Sequence, residues 1–219
     1  MNFLHKALKA INEIPKPVKT FASKALVLLI VWQVVYLGFL APTRIIDKPL
    51  SMFTGNATAW CVKKLMPGHS IVVKEVLQKQ KVESTEFNYL NTLIFLDGLK
   101  LIGIADGCNG LSLFILFIGF LIAYPAPLWL KIRYGFLGLI LIVLVNILRC
   151  TGLAMLAYFN PEFFFYAHHY LFKVMVYGIV FFLWVRFTQI NQKNNQLIEI
   201  DEALYVLIQK AEEVRVLTD

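Results

Sequence analysis

The chain has 219 residues, of which 58% are hydrophobic, 14% aromatic and only 16% charged. That balance excludes an ordinary soluble domain, which is nearer half apolar and a quarter charged, and marks an integral membrane protein. The formal charge of +7 raises nucleic acid as a partner, but the basic residues flank apolar spans, as orientation in a bilayer requires, so nucleic acid is discounted.

From the N-terminus, Lys6, Lys9, Lys16, Lys19 and Lys24 lead into Ala25 to Thr43, an uncharged run about as long as a bilayer requires. The basic lead-in and the apolar run are both long for a signal peptide, so an uncleaved anchor is expected, with the N-terminus in the cytoplasm. Residues 44–105 then form one extracytoplasmic segment. Within it Pro49 to Val62 is uncharged but short for a span and reads as interfacial. Thr92 to Ile104 reads as a β-hairpin turning at Asp97-Gly98.

The second span is Cys108 to Tyr124, ended by Pro125 and Pro127. The third runs from about Tyr134 to Phe159 with Arg149 inside it, and the fourth from about Phe164 to Val185, closed by Arg186. Lys131 and Arg133 between spans two and three, and Arg186 after span four, fall on the same side as the N-terminal lysines, so the positive-inside rule is satisfied throughout. The tail from Phe187 carries charges around Ile200, Leu204, Leu207, Ala211 and Val214 and is expected to end as an amphipathic cytoplasmic helix. The expected fold class is therefore an all-α polytopic membrane protein of about four transmembrane helices with a small extracytoplasmic β-hairpin. It divides into 1–43 (cytoplasmic segment and first helix), 44–105 (outer loop), 106–186 (three-helix core) and 187–219 (tail).

Three reactive side chains fall at one depth. At ~1.5 Å per residue from the cytoplasmic end of each helix, Arg149 stands roughly 22 Å up, Cys108 roughly 24 Å and His168 roughly 26 Å. All three lie near the outer boundary of a core ~30 Å thick. Cys108 is placed at the start of a helix, between Gly107 and Gly110, where the dipole and a nearby cation would activate a thiol. The alternative is a small, inert packing residue. Arg149 at mid-helix opposes insertion by about 2.5–3.5 kcal/mol, less if it snorkels to the outer headgroups. The functional reading is a fixed cation for a thiolate or oxyanion. Asn146 is one turn earlier on the same face.

His168 and His169 face different ways, so one of them is expected to enter the site, as an acid and base for the thiol and a leaving amine. The alternative is an interfacial pair. Asp106 is read as orienting an imidazole or binding a substrate cation, or else as a solvated loop acid. Cys61, in a loop context, and Cys150, about 100° round the helix from Arg149, are given no role; three cysteines without a CxxC pair suggest neither a disulfide framework nor a zinc site.

Cys108-Asn109-Gly110-Leu111, then Asn146-Ile147-Leu148-Arg149, then His168-His169 follow one another in the order and spacing of the exosortase/archaeosortase family, which the chain resembles over about 100–186. That family's histidine is often followed by an acid, which favours His168 as the catalytic one, with His169 in the acid's place; the chain is also short for the family. The resemblance implies a membrane-embedded cysteine protease-transpeptidase of the bacterial cytoplasmic membrane, with its site near the outer face. Such enzymes are thought to cut C-terminal sorting tails from exported proteins through a thioester, resolved by water or an unknown acceptor in the membrane or envelope. Cys108 would be the nucleophile, His168 the acid/base and Arg149 the stabilising cation, with His169, Asn146, Asp106 and Asn109 in support. No metal or organic cofactor is implied. Two competing classes are a membrane thiol oxidoreductase, which needs Cys61 or Cys150 as a second thiol, and a non-enzymatic membrane assembly protein.

Overall fold

The computed structural model describes residues 15–82 and 85–218, and side chains within 15–76 and 91–208. The lysines expected to lead the chain in at positions 6 and 9, and the tail side chains at 211 and 214, lie outside these. Helix α1, Lys16–Thr43, includes a π-helical stretch at Tyr36–Leu40, and α2 is Asp47–Leu65. Strands β1 (Ile71–Val82), β2 (Thr85–Leu96) and β3 (Leu99–Ile104) follow, then a 3₁₀ turn at Asp106–Cys108. Helix α3 is Leu111–Ala123 and α4 is Leu128–Phe159. Helix α5 starts at Pro161, passes through a π-helical stretch at Ala167–Leu171 and continues to Thr218.

Among the described residues three helices are long and apolar enough to cross a membrane: Lys16–Thr43, Leu128–Phe159 and Pro161–Ile208. The second of the four expected spans is the exception. Its helix holds 13 residues, or roughly 20 Å of rise against a core of ~30 Å. The reason is local: Gly110, at φ 94°, breaks the helix two residues after Cys108, and the backbone leaves the helix at Tyr124, before Pro125. The third span also starts earlier than its hydropathy suggested. Lys131 and Arg133 sit inside α4, and Lys131 Nζ caps the end of α3 by donating to the Ile122 carbonyl at 3.1 Å.

The expected hairpin is present as β2 and β3. Asp97 (φ 49°) and Gly98 (φ 83°) both take the left-handed conformation that a two-residue turn matching strand twist demands. It belongs to a larger unit, because β1 pairs antiparallel with β2 to give a three-stranded sheet in the order β1-β2-β3. Helix α2, expected only as an interfacial segment, lies beneath that sheet. Its small residues Ser51, Thr54, Gly55, Thr58 and Val62 recur at helical spacing and are all buried. A Cβ at Gly55 would come within 2.8 Å of Thr92 and 3.2 Å of Val73, so glycine is what lets the sheet settle on the helix. Cys61, expected in a loop, is in this helix.

Two cores result. In the membrane, Leu113, Phe117 and Leu121 of α3 pack with Ile142 and Val145 of α4 and with Val176, Val180, Leu183 and Phe187 of α5. Above it, Val62 and Met66 of α2, Ile94, Leu96, Ile102 and Ile104 of the sheet, and Cys150 and Ala154 of α4 form the second. Helix α4 runs through both. Between its Val145 in the lower core and its Cys150 in the upper one lie Asn146 and Arg149, both buried.

Candidate active site

Cys108 projects from the loop joining β3 to α3, at the junction of the two cores. It is not the first residue of a helix. It closes the 3₁₀ turn, donating from its N–H to the Ala105 carbonyl at 2.7 Å, and α3 begins three residues later. One free N–H of that first turn, on Leu111, is taken by Asn109 Oδ1 at 2.9 Å. Asn109, rather than the thiol, therefore occupies the end of the helix dipole.

Two basic groups meet the sulfur. Arg149 Nη2 donates to Cys108 Sγ at 3.5 Å, and His168 Nε2 lies 3.8 Å from the same atom. The guanidinium comes from α4 and the imidazole from the π-helical part of α5. A π-helical residue insertion re-aims side chains relative to a regular helix, and such insertions recur at functional sites. Here it accompanies an inward His168, stacked on Phe164 at 5.8 Å, while His169 stays exposed, stacked on Phe165 with Nδ1 at 3.1 Å from that residue's carbonyl. Only His168 faces the thiol.

The third α4 residue is Asn146. Its Nδ2 donates to the Cys108 carbonyl at 3.1 Å, one turn below Arg149. Gly110 makes this approach feasible: it adopts a positive φ, and a Cβ there would lie 3.3 Å from Asn146 Nδ2. Gly107 meets nothing within 4 Å where a Cβ would stand. Asn146 Oδ1 and Arg149 Nε are both buried and have no hydrogen-bond partner, leaving an acceptor and a charged donor unfilled on the two α4 side chains that meet Cys108.

Asp106 is paired with a cation of the chain itself, and its hydrogen bonds among the described residues come from no imidazole. Both carboxylate oxygens are engaged by Arg44, from Nε at 2.7 Å and Nη2 at 2.7 Å, and Ser51 Oγ adds a third bond at 3.1 Å. The hydrogen bond to Asp106 holds Arg44 even more firmly protonated than an arginine ordinarily is. Asn109 Nδ2 donates to Asp47 Oδ1 at 2.8 Å and to Ser51 Oγ at 3.3 Å, and Thr54 Oγ1 reaches the Asn109 carbonyl at 3.5 Å. Asn109 thus supports the loop and does not point at the sulfur. Arg44, Asp47, Ser51 and Thr54 are site residues that the sequence motifs do not flag. The signal for them was the row of small polar residues at helical spacing after Asp47.

Cys150 is buried in the upper core against which Cys108 leans, and Cys61 is half-buried on α2; all three cysteines are free. Among the described residues no cluster of three or more His, Cys, Asp or Glu side chains could hold a metal.

The family model for the transmembrane exosortases matches residues 18–186. No curated protein and no solved structure gives a significant match. The matched stretch takes in α1, α2, the sheet and all the residues that meet at Cys108, well over half of the sequence, and the chain belongs to the transmembrane exosortase family.

Proposed function

We propose that this protein is a membrane-embedded cysteine protease-transpeptidase that removes C-terminal sorting tails from exported proteins. The observation that carries the proposal is the meeting of Arg149 Nη2 and His168 Nε2 on Cys108 Sγ, at 3.5 and 3.8 Å. A thiol needs a base to become a nucleophile, and the tetrahedral oxyanion needs a fixed donor; these two contacts fit both needs.

In the proposed cycle His168 Nε2 takes the thiol proton and Sγ attacks the scissile carbonyl carbon. The carbonyl π bond breaks onto oxygen, and Arg149, which has no carboxylate partner among the described residues, stabilises that oxygen's charge. Collapse re-forms the carbonyl and expels the tail as an amine, which receives the proton from His168. The acyl group is left as a thioester on Cys108. Water or an acceptor amine in the membrane or envelope then attacks it, His168 takes the attacking proton, and the thiolate leaves. Asn146 Oδ1 and Arg149 Nε offer an acceptor and a donor for the amide groups flanking the scissile bond.

The test is a comparison of membrane proteins from cells carrying wild type, Cys108→Ala or Cys150→Ala, with mass spectrometry to find which hydrophobic C-terminal tails stay attached. Uncut tails in the Cys108 variant alone are expected, and they name the substrates. Equal processing in all three samples overturns the proposal; loss in both variants favours a two-thiol oxidoreductase.

A further inference from the structure

The loop that carries Cys108 is poorly held by its own backbone. Between β3 and α3 it makes the Cys108 N–H to Ala105 bond and a long contact from Asn109 N to the Asp106 carbonyl at 3.4 Å, and Gly107 has open space around it. The two side chains that flank Gly107-Cys108 are nevertheless heavily bonded, and all their long-range partners lie in residues 44–54. Asp106 is held by Arg44 through two bonds and by Ser51. Asn109 is held by Asp47, Ser51 and Thr54. Ser51 Oγ joins the two groups.

Burial makes this network informative. Asp47 is 1% exposed, Ser51 0%, Thr54 3% and Asn109 1%. Polar and ionic groups buried this deeply add little stability compared with apolar residues of similar size, and their better-attested use is to select one geometry. The geometry selected here is that of the thiol. Asn146 and Arg149 approach the loop from the opposite side, on α4.

We propose that residues 44–54 are the positioning part of this active site: the Arg44–Asp106 ion pair and the Asp47–Asn109 hydrogen bond clamp the loop on both sides of Cys108 and set its sulfur on Arg149. None of the four side chains from this segment touches the sulfur, so they are positioning residues and not catalytic ones. The proposal deepens the reading of Cys108 as the reacting thiol. It also gives the outer end of α1 a task. Arg44 directly follows that helix, in the left-handed conformation (φ 50°), and ties its end to the catalytic loop.

The test uses the whole protein in lipid nanodiscs and reads Cys108 alone by mass spectrometry. Alkylation rates are measured with iodoacetate, an anion, and with iodoacetamide, its neutral counterpart. A thiol seated on Arg149 favours the anion, so the ratio of the two rates should be on the order of tenfold higher in wild type than in Arg149→Gln. Asp106→Asn, Arg44→Gln and Asn109→Ala should bring the ratio most of the way down to that of Arg149→Gln. Ser51→Ala, the mildest change, removes one bond to the Asp106 carboxylate and one to Asn109, and should lower it by about threefold or more. The paired exchange Arg44→Asp with Asp106→Arg should restore more than half of what either single change removes. A clamp that only stabilises the fold would lower the melting temperature and leave the ratio alone. A high wild-type ratio that is unchanged in Ser51→Ala and Asp106→Asn overturns the positioning role while leaving the catalytic reading intact. A wild-type ratio no higher than that of Arg149→Gln overturns both.

Discussion

Arg149 is 7% exposed, touches Cys108 Sγ with one nitrogen and leaves Nε without a partner. A guanidinium this deep and this underused has unfilled bonding capacity beside the reacting atom. Arg149→Gln is expected to lower tail processing by about 10²–10³, the range for losing one oxyanion donor. Arg149→Lys should not restore it, because an ammonium cannot reach both the sulfur and a second acceptor with a planar fork. The two histidines give a sharper contrast. His168→Ala is expected to cost about 10²–10⁴ in processing rate, as loss of a general acid-base does. His169→Ala should stay close to wild type, since that ring is exposed, meets the Phe165 carbonyl and ring, and touches His168 only edge-on at 5.0 Å between ring centroids. Retained tails, quantified by mass spectrometry, check all four variants, and an inactive His169→Ala beside an active His168→Ala would reverse the assignment. Which histidine turns inward was not legible from adjacency alone. It follows from the π-helical geometry at Ala167–Leu171, which a single sequence does not announce.

At the scale of elements, helix packing turns on two glycines of α4. A Cβ at Gly138 would stand 2.2 Å from the Phe117 ring, which is fully buried in the membrane core, and one at Gly152 would stand 2.8 Å from Phe172. Gly138→Ala must displace the Phe117 ring from its place in the core, or move α3 with it. It is expected to destabilise by about 1–3 kcal/mol despite alanine's better helix propensity. Gly178→Ala on α5, with nothing within 4 Å, should be tolerated. Thermal unfolding in nanodiscs distinguishes the two, and equal melting temperatures would contradict the packing described. The hairpin has its own device. Asp97 is held below the usual carboxylate range by its bond to His69, and secondly by the Ser70 N–H. Its contribution is therefore complete above the unfolded carboxylate value of about 3.9 and is lost as pH falls through the lower folded value. The protection factors of the amides at the Asp97-Gly98 turn, which correct for the slower intrinsic exchange in acid, should fall below about pH 4, and Asp97→Asn should remove that pH dependence. The turn was legible because Asp-Gly between alternating strands has few other solutions. Strand β1 was not, since its run of Lys, Glu and Gln hides the alternation. Helix α2 was hidden for a related reason: it buries serine, threonine and glycine, which no hydropathy measure rewards.

For the whole molecule, the question is how a thiol chemistry is held at one depth by helices of unequal length. Tyr134 Oη donates to the Leu183 carbonyl at 3.0 Å, which fixes a common lower level for α4 and α5. From there Arg149 and His168 are each 15 residues away, or roughly 22 Å along the axis. They converge on Cys108 from opposite chain directions. The near-equal spacing of Arg149 and His168 is legible in the sequence, but the height given to Cys108 is not, because residues 108–110 precede the helix and do not extend it. What the sequence concealed is how the third helix manages with 13 residues. Helix α3 stops short, and the thiol loop beyond its end packs against the upper core of α2 and sheet. This arrangement and the basic residues at the far ends of the long helices predict an outward-opening site with a cytoplasmic tail. A membrane-impermeant maleimide added to intact cells should modify Cys108. A cysteine placed at the exposed tail position by Asn195→Cys should react only after permeabilisation. Labelling of the tail from outside, with Cys108 protected, would invert the orientation and with it the side on which any exported substrate could be met.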